Sequence, residues 1–236
     1  MLWLLLIGLG ATVLAHTAPF PFVLDYGFRS RAVWKMPTQP GDKVVYLTFD
    51  DGPNPAATPA LLDALRDNDA RATFFVIDSH ITEQTAPIVA RMVAEGHDVA
   101  LHSNERSLMF RTPEALAEQL GQAAQHIEQI TGQPPCAAFR PHGGLRGGSM
   151  FRGLGRLGYR LVGWSWNLWD WNWFRRPRAE TIVSRLLENI DSGEIVVLHD
   201  GDDKQRRADR RYAVETVRQL VPALAERGFR FGTICE

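Results

Sequence analysis

Residues 44–53 constrain the fold of this chain more than any other stretch. Val44, Val45, Tyr46, Leu47, Thr48 and Phe49 form an unbroken run of β-formers that stops at Asp50, Asp51, Gly52 and Pro53. Such a run reads as a strand buried on both faces, and the Gly-Pro step reads as the turn that ends it. Two adjacent carboxylates at the end of a buried strand repel each other unless a cation holds one of them ionised. The pair therefore suggests a base beside a metal ligand, set against the plainer reading of a solvated Asp-Asp-Gly turn.

Downstream, the chain alternates helix and strand signals. Thr58 and Pro59 read as a helix start, with Leu61, Leu62 and Leu65 on the buried face. A strand is predicted over 72–76, then a helix carrying Ile88, Val89, Met92 and Val93 that stops at Gly96, then a strand over 99–101 ending at His102. Thr112 and Pro113 open a helix that runs through Leu116, Leu120, Ile127 and Ile130 to Gly132, and a strand over 137–139 leads into Arg140. Helices over 150–157, 181–190 and 212–227 precede strands over 160–164, 195–198 and 229–234. Seven strands alternating with helices imply a parallel α/β architecture, either a barrel or an open doubly wound sheet. Asp50, Asp51, His102, Arg140 and His199 each follow the end of a strand, most of them different strands, which favours a barrel. A Gly-rich phosphate loop, usual in doubly wound sheets, is missing.

With 236 residues, 45% of them hydrophobic and 22% charged, the chain is long enough for one sizeable core, and one catalytic domain is expected over 43–236. A net charge of -1 and the lack of zinc-finger or helix-turn-helix signatures exclude a nucleic-acid partner. Residues 1–24 read as a signal peptide or membrane anchor: 2–15 are apolar and no Asp, Glu, Lys or Arg occurs from 2 to 24. No Lys or Arg precedes the block, whereas Arg29, Arg31 and Lys35 follow it, so an uncleaved tether stays open beside export. Residues 25–42, with Pro37, Pro40 and Gly41, read as a linker. Two cysteines, Cys136 and Cys235, exclude a disulfide scaffold but permit one bridge in an exported protein; buried thiols are the commoner reading.

Five ordered motifs now stand out: residues 48–53 (TFDDGP), 96–103 (GHDVALHS), 139–144 (FRPHGG), 164–171 (WSWNLWDW) and 195–200 (IVVLHD). Together they resemble the NodB-homology polysaccharide deacetylases (carbohydrate esterase family 4 type) over about 43–236. The resemblance implies a distorted (β/α)7 barrel and a hydrolase that removes N-acetyl groups from a GlcNAc-containing polysaccharide, peptidoglycan or a chitin-like oligomer. It implies Asp50 as base, His199 as general acid, Arg140 as partner of Asp50, and Asp170 as support of His199. Asp51 and His102 become ligands of a divalent metal, with zinc expected, while a backbone N–H near Gly143 holds the oxyanion and Trp171 walls the substrate groove. A monomer, secreted or membrane-anchored in the cell envelope, completes the expectation. The other tryptophans of the segment read as core or loop packing, and Arg175, Arg176, Arg178, Arg206, Arg207, Arg210 and Arg211 as solvated charge.

The chain departs from the family where a second metal-binding histidine is usual, because Arg106 stands there. A guanidinium has no lone pair to donate. Glu105 becomes the expected third ligand, since residues three apart share a helical face and zinc accepts carboxylate oxygen. His142, in the place of a usual proline, is a spare ligand or a substrate contact. A different class of function follows if the ligand set is incomplete: a barrel that binds glycan without cleaving it. Retention of Asp50, Arg140, Asp170 and His199 favours the enzyme.

Overall fold

The computed structural model describes Trp3 and residues 32–165 and 178–236. The leader over 1–24 therefore lies outside the described residues apart from Trp3, as do Asp170, Trp171 and Arg175. Among the described residues no helix is long and apolar enough to cross a membrane.

The strands are β1 (Ala32–Val33), β2 (Val44–Gly52), β3 (Thr73–Ile77), β4 (Asp98–His102), β5 (Ala138–Arg140), β6 (Arg160–Val162), β7 (Ile195–His199) and β8 (Arg230–Phe231). Between them run α1 (Thr58–Arg66), α2 (Ala86–Ala94), α3 (Pro113–Thr131), α4 (Gly148–Leu157), α5 (Ala179–Asn189) and α6 (Arg211–Glu226). All strand pairs are parallel, in the order β1-β6-β5-β4-β3-β2-β7, with β8 added beside β2. The helices pack outside in the same order, α4-α3-α2-α1-α6-α5. The two ends of the sheet approach each other without a continuous ladder. Ser165 N–H donates to the Ile195 carbonyl at 3.0 Å, and Met36 N–H to that of Gly193 at 2.8 Å. The architecture is a distorted (β/α) barrel with a loose seam.

Strand periodicity splits the core in two. Leu47, Phe49, Phe74, Val76, Leu101, Phe139, Leu161, Val196 and Leu198 face outward and meet the helices. Phe75, Ala100, Ala138, Val162, Trp164, Ile195, Val197 and Ile234 fill the barrel interior. Trp164 is thus core, as its apolar bulk suggests.

Some expectations need correction. Residues 32–36 are no linker: β1 pairs with β6, Met36 is buried, and Trp34 lies edge-on to Trp164 at 6.0 Å. A two-residue strand carries no periodic signal, so sequence reading passes over it. Cys136 and Cys235 are bonded to each other rather than free thiols. The last strand is only Arg230–Phe231, because the chain then bends across the barrel floor, where Ile234 N–H reaches Thr73 Oγ1 at 3.0 Å. Thr112 does cap α3, accepting from Ala115 N–H at 3.2 Å, but Thr58 does not cap α1 and is used by the site instead.

Candidate metal centre and acid–base residues

Strand register places the polar groups in one row on the C-terminal rim. Asp50 stands opposite His199 of β7, Ile77 opposite His102, and His102 opposite Arg140. On a regular strand Asp50 and Asp51 would point to opposite faces. Here Asp51 takes a left-handed conformation (φ 68°) and the register shifts between Asp50 and Gly52, so both carboxylates serve the same rim. Gly201 allows this close approach: a Cβ there would collide with the Asp51 carbonyl, and its N–H instead donates to Asp50 O at 3.2 Å.

Among the described residues, Asp50 is held by the most buried charged side chain. The Arg140 side chain is fully enclosed, and its Nη1 donates to Asp50 Oδ1 at 2.6 Å and to Thr48 Oγ1 at 2.8 Å. Its Nε reaches the carbonyl of Val162 (3.3 Å) and its Nη2 that of Gly163 (2.7 Å), and its Cζ lies 3.9 Å from the Phe75 ring centre. A desolvated guanidinium bonded through all three nitrogens is fixed in position and fixes its carboxylate in turn. Burial lowers the Arg140 pKa, and the Asp50 charge opposes that shift.

Beside this pair, ligand atoms of Asp51, His102 and His142 all lie within 4.8 Å of one another. His102 donates its Nδ1–H to the Arg140 carbonyl at 2.7 Å, which leaves Nε2 facing Asp51 Oδ1 at 3.2 Å. That oxygen is buried and has no hydrogen-bond partner. A desolvated carboxylate oxygen converging with two imidazoles fits a divalent cation, which would satisfy it. Burial would raise the Asp51 carboxyl, but the imidazoles around it, His102 foremost, overcome burial and hold it well below the usual carboxylate range. Burial likewise pushes His102 down, and the Asp50 and Asp51 carboxylates leave it raised. His142 is lowered by burial and by His102.

The Glu105 expectation fails. Glu105 is extended (φ -89°, ψ 104°) and precedes a 3-10 turn (Arg106–Phe110), so the segment after β4 is not the α-helix that would bring its side chain to the face of His102. Its carboxylate accepts instead from Gln119 Nε2 at 2.9 Å and Arg111 Nη2 at 3.2 Å. Arg106 is exposed. His142, read as a spare ligand or substrate contact, stands in the cluster, with Asp203 Oδ2 4.0 Å from its Nε2.

Sequence reasoning missed several supports. His80 donates to the Asp51 carbonyl at 3.0 Å and so braces the left-handed residue. Thr58 donates to Asp200, and Asn54 donates to the carbonyls of Asp200 and Ala208, both at 2.9 Å. Burial pushes the Asp200 carboxyl up to about 7, the Thr58 hydrogen bond opposing it and Asp51 and Asp50 adding to it. A polar residue just after a strand-end histidine was the available signal for Asp200; nothing local marks His80 or Thr58. Gly143 (φ 58°) is exposed beside His142. Of the predicted basic run, Arg210 pairs with Asp202 at 3.0 Å and Arg211 with Asp209 at 2.7 Å.

Known proteins resemble this chain in sequence and in fold. The polysaccharide deacetylase family matches residues 38–162. The chain is 33% identical to a peptidoglycan-N-acetylglucosamine deacetylase of Bacillus cereus over 86% of its own length and 91% of the relative's. It is 37% identical to a chitooligosaccharide deacetylase of a Bradyrhizobium species over 80% and 88%. The solved structure of the Bc1960 peptidoglycan N-acetylglucosamine deacetylase superposes with a TM-score of 0.74 at 25% identity, covering 90% of this chain and 95% of that one. With five motifs in order, a matching barrel and relatives aligned along nearly their whole length, the chain belongs to the polysaccharide deacetylase family.

Proposed function

We propose that this chain is a divalent-metal hydrolase that removes N-acetyl groups from a GlcNAc-containing polysaccharide, peptidoglycan or a chitin-like oligomer. The observation that carries the reading is the Arg140–Asp50 pair at 2.6 Å beside the Asp51, His102 and His142 cluster, with His199 across from Asp50 on β7. A pure binder has no use for an enclosed, oriented carboxylate next to a cation site.

Asp51, His102 and His142 would hold the metal, and carboxylate with imidazole is a donor set suited to zinc. Bound there, the metal supplies Lewis acidity toward the acetyl carbonyl and toward water. Asp50 offers Oδ2 to the proton of the attacking water while Arg140 keeps Oδ1 occupied. His199 stands on the neighbouring strand to protonate the departing amine. The Gly143 N–H provides a donor for the developing oxyanion. Asp170 as the partner of His199, and Trp171 as the groove wall, belong to the same proposal.

Both relatives' names point to cell-wall or extracellular sugars, and the Cys136–Cys235 bridge suits an oxidising compartment. Work in the cell envelope, after export or on a tether formed by 1–24, follows, with the chain acting as a monomer. Acetate release from peptidoglycan and from chitin oligomers, with chelator and after adding zinc back, tests the reading. Activity that chelator abolishes and zinc restores supports it; no release from either polymer with metal present sinks it.

A further inference from the structure

Compared with the family's usual second motif, this chain carries a cation where the second imidazole would stand and an imidazole on a different loop. The two loops are built differently. The segment after β4 is held by the rest of the fold: Glu105 N–H donates to Ser103 Oγ at 3.0 Å, its carboxylate reaches α3 through Gln119, Asn104 Nδ2 donates to the Asp203 carbonyl at 3.2 Å, and Leu108 is buried. The segment after β5 is glycine-rich, with Gly143 (φ 58°) and Gly144 (φ 72°) both left-handed. Its backbone hydrogen bonds are short-range, Gly144 N–H to Pro141 O at 3.0 Å and Leu145 N–H to His142 O at 3.2 Å, while the buried Arg146 side chain, which donates Nη1 to Gly144 O at 3.0 Å and lies 4.8 Å from the Trp34 ring centre, anchors the loop's far end. Among the described residues no hydrogen bond reaches the His142 ring, which has Asp203 at 4.0 Å and the Asp51 and His102 ligand atoms within 4.8 Å.

We propose that the third metal ligand has moved from the segment after β4 to His142, and that metal binding thereby sets the backbone conformation of residues 142–146. A ligand on an anchored segment would leave loop order independent of the metal. A ligand followed by two left-handed glycines couples the two, because closing the coordination set removes the conformational freedom those glycines leave. The adjacent Gly143 N–H lies one peptide from the ligand, so the metal also positions that donor. Metal loading and the readiness of the site become a single event in this chain.

This rests on the hydrolase reading, yet its test uses no substrate, so failure on a chosen polymer and failure of this inference are separable. Full-length protein stripped with chelator is titrated with zinc and with cobalt(II), whose visible spectrum reports imidazole ligation. Amide exchange over 142–146 and over 103–106 is followed with and without metal. In the native chain, metal slows exchange over 142–146 by about 10-fold or more and leaves 103–106 nearly unchanged. His142→Ala loses more affinity than the roughly 10- to 100-fold that removal of an outer-shell partner costs, and its loop no longer slows at saturating metal. His142→Asn, which keeps a polar side chain of similar reach, repeats the loss if the alanine variant folds poorly. Metal affinity retained in both variants, or a native loop whose exchange ignores metal, overturns the proposal.

Discussion

The two ends of the barrel contain nearly the same ingredients and use them in opposite ways. At the C-terminal rim Asp51, His102 and His142 converge; at the floor Asp98, Cys136 and Cys235 do. The floor is saturated. Its cysteines are bonded to each other, Asp98 Oδ2 accepts the Cys235 N–H at 2.7 Å, and Ile234 N–H is taken by Thr73. At the rim, Asp51 Oδ1 is buried without a partner and faces an imidazole nitrogen. A satisfied cluster stabilises, whereas a convergent and unsatisfied one binds. The contrast agrees with the division of labour in barrels, where the strand C-termini carry chemistry and the other end carries stability.

Breaking the rim should change rate most; His199→Ala spares the fold, whereas Asp50→Asn also leaves the enclosed Arg140 charge unpaired and lowers the urea midpoint. Asp50→Asn or His199→Ala is expected to lower turnover by about 100- to 10,000-fold, the scale of a general base or acid. Acetate release and the urea midpoint, measured side by side, check both halves; near-native turnover in either variant refutes the role. Breaking the floor should do the reverse. The bridge closes a loop with a sequence separation of 99, so Cys235→Ser should cost up to about 4.7 kcal/mol of stability in the chain-entropy account, with metal affinity unchanged. Urea unfolding of oxidised protein and the serine variant measures this, and a loss below about 1 kcal/mol contradicts it.

A smaller effect sharpens the contrast through pH. His97 is buried between α2 and β4, accepts the Ala72 N–H at 3.2 Å, and is pushed down to about 4 by burial. Between about 4 and 6.5 the unfolded chain binds a proton that the folded chain does not, so stability falls as pH drops through that window. The contribution is about 3 kcal/mol in all, and His97→Gln should flatten the acid limb by that amount. An unchanged pH dependence in the variant would rule out His97 as the cause. Smallest of all, Glu105→Ala removes an exposed pair with Arg111 and a contact to Gln119. It should cost less than about 1 kcal/mol and leave zinc affinity intact. A clear loss of zinc affinity would return Glu105 to the ligand set.

Most of the barrel was legible because its strands are apolar runs and its helices carry strong boundary signals. Thr112 before Pro113 and Gly132 after the last turn both act as read, one as cap and one in the left-handed conformation. The misses share a cause. The two residues of β1 are too few for a period, Thr58 is recruited by Asp200 of a distant strand end, and Glu105 depends on whether the chain after His102 winds as an α-helix. Each is settled by groups far away in sequence, and local propensity yields to such contacts.

From the residues alone came the alternating architecture, the family, and the groups on the rim, because hydrophobic period and motif order are local properties of the chain. Which candidate side chain meets Asp51 and His102 was decided by tertiary structure. Glu105 and His142 each follow a strand end, and the sequence leaves both open as ligands. Only the folded backbone, extended at Glu105 and left-handed at Gly143, sends one to Gln119 and Arg111 and brings the other to Asp51. A ligand set is a condition on distances between loops from different strands, and spacing along one chain does not contain those distances.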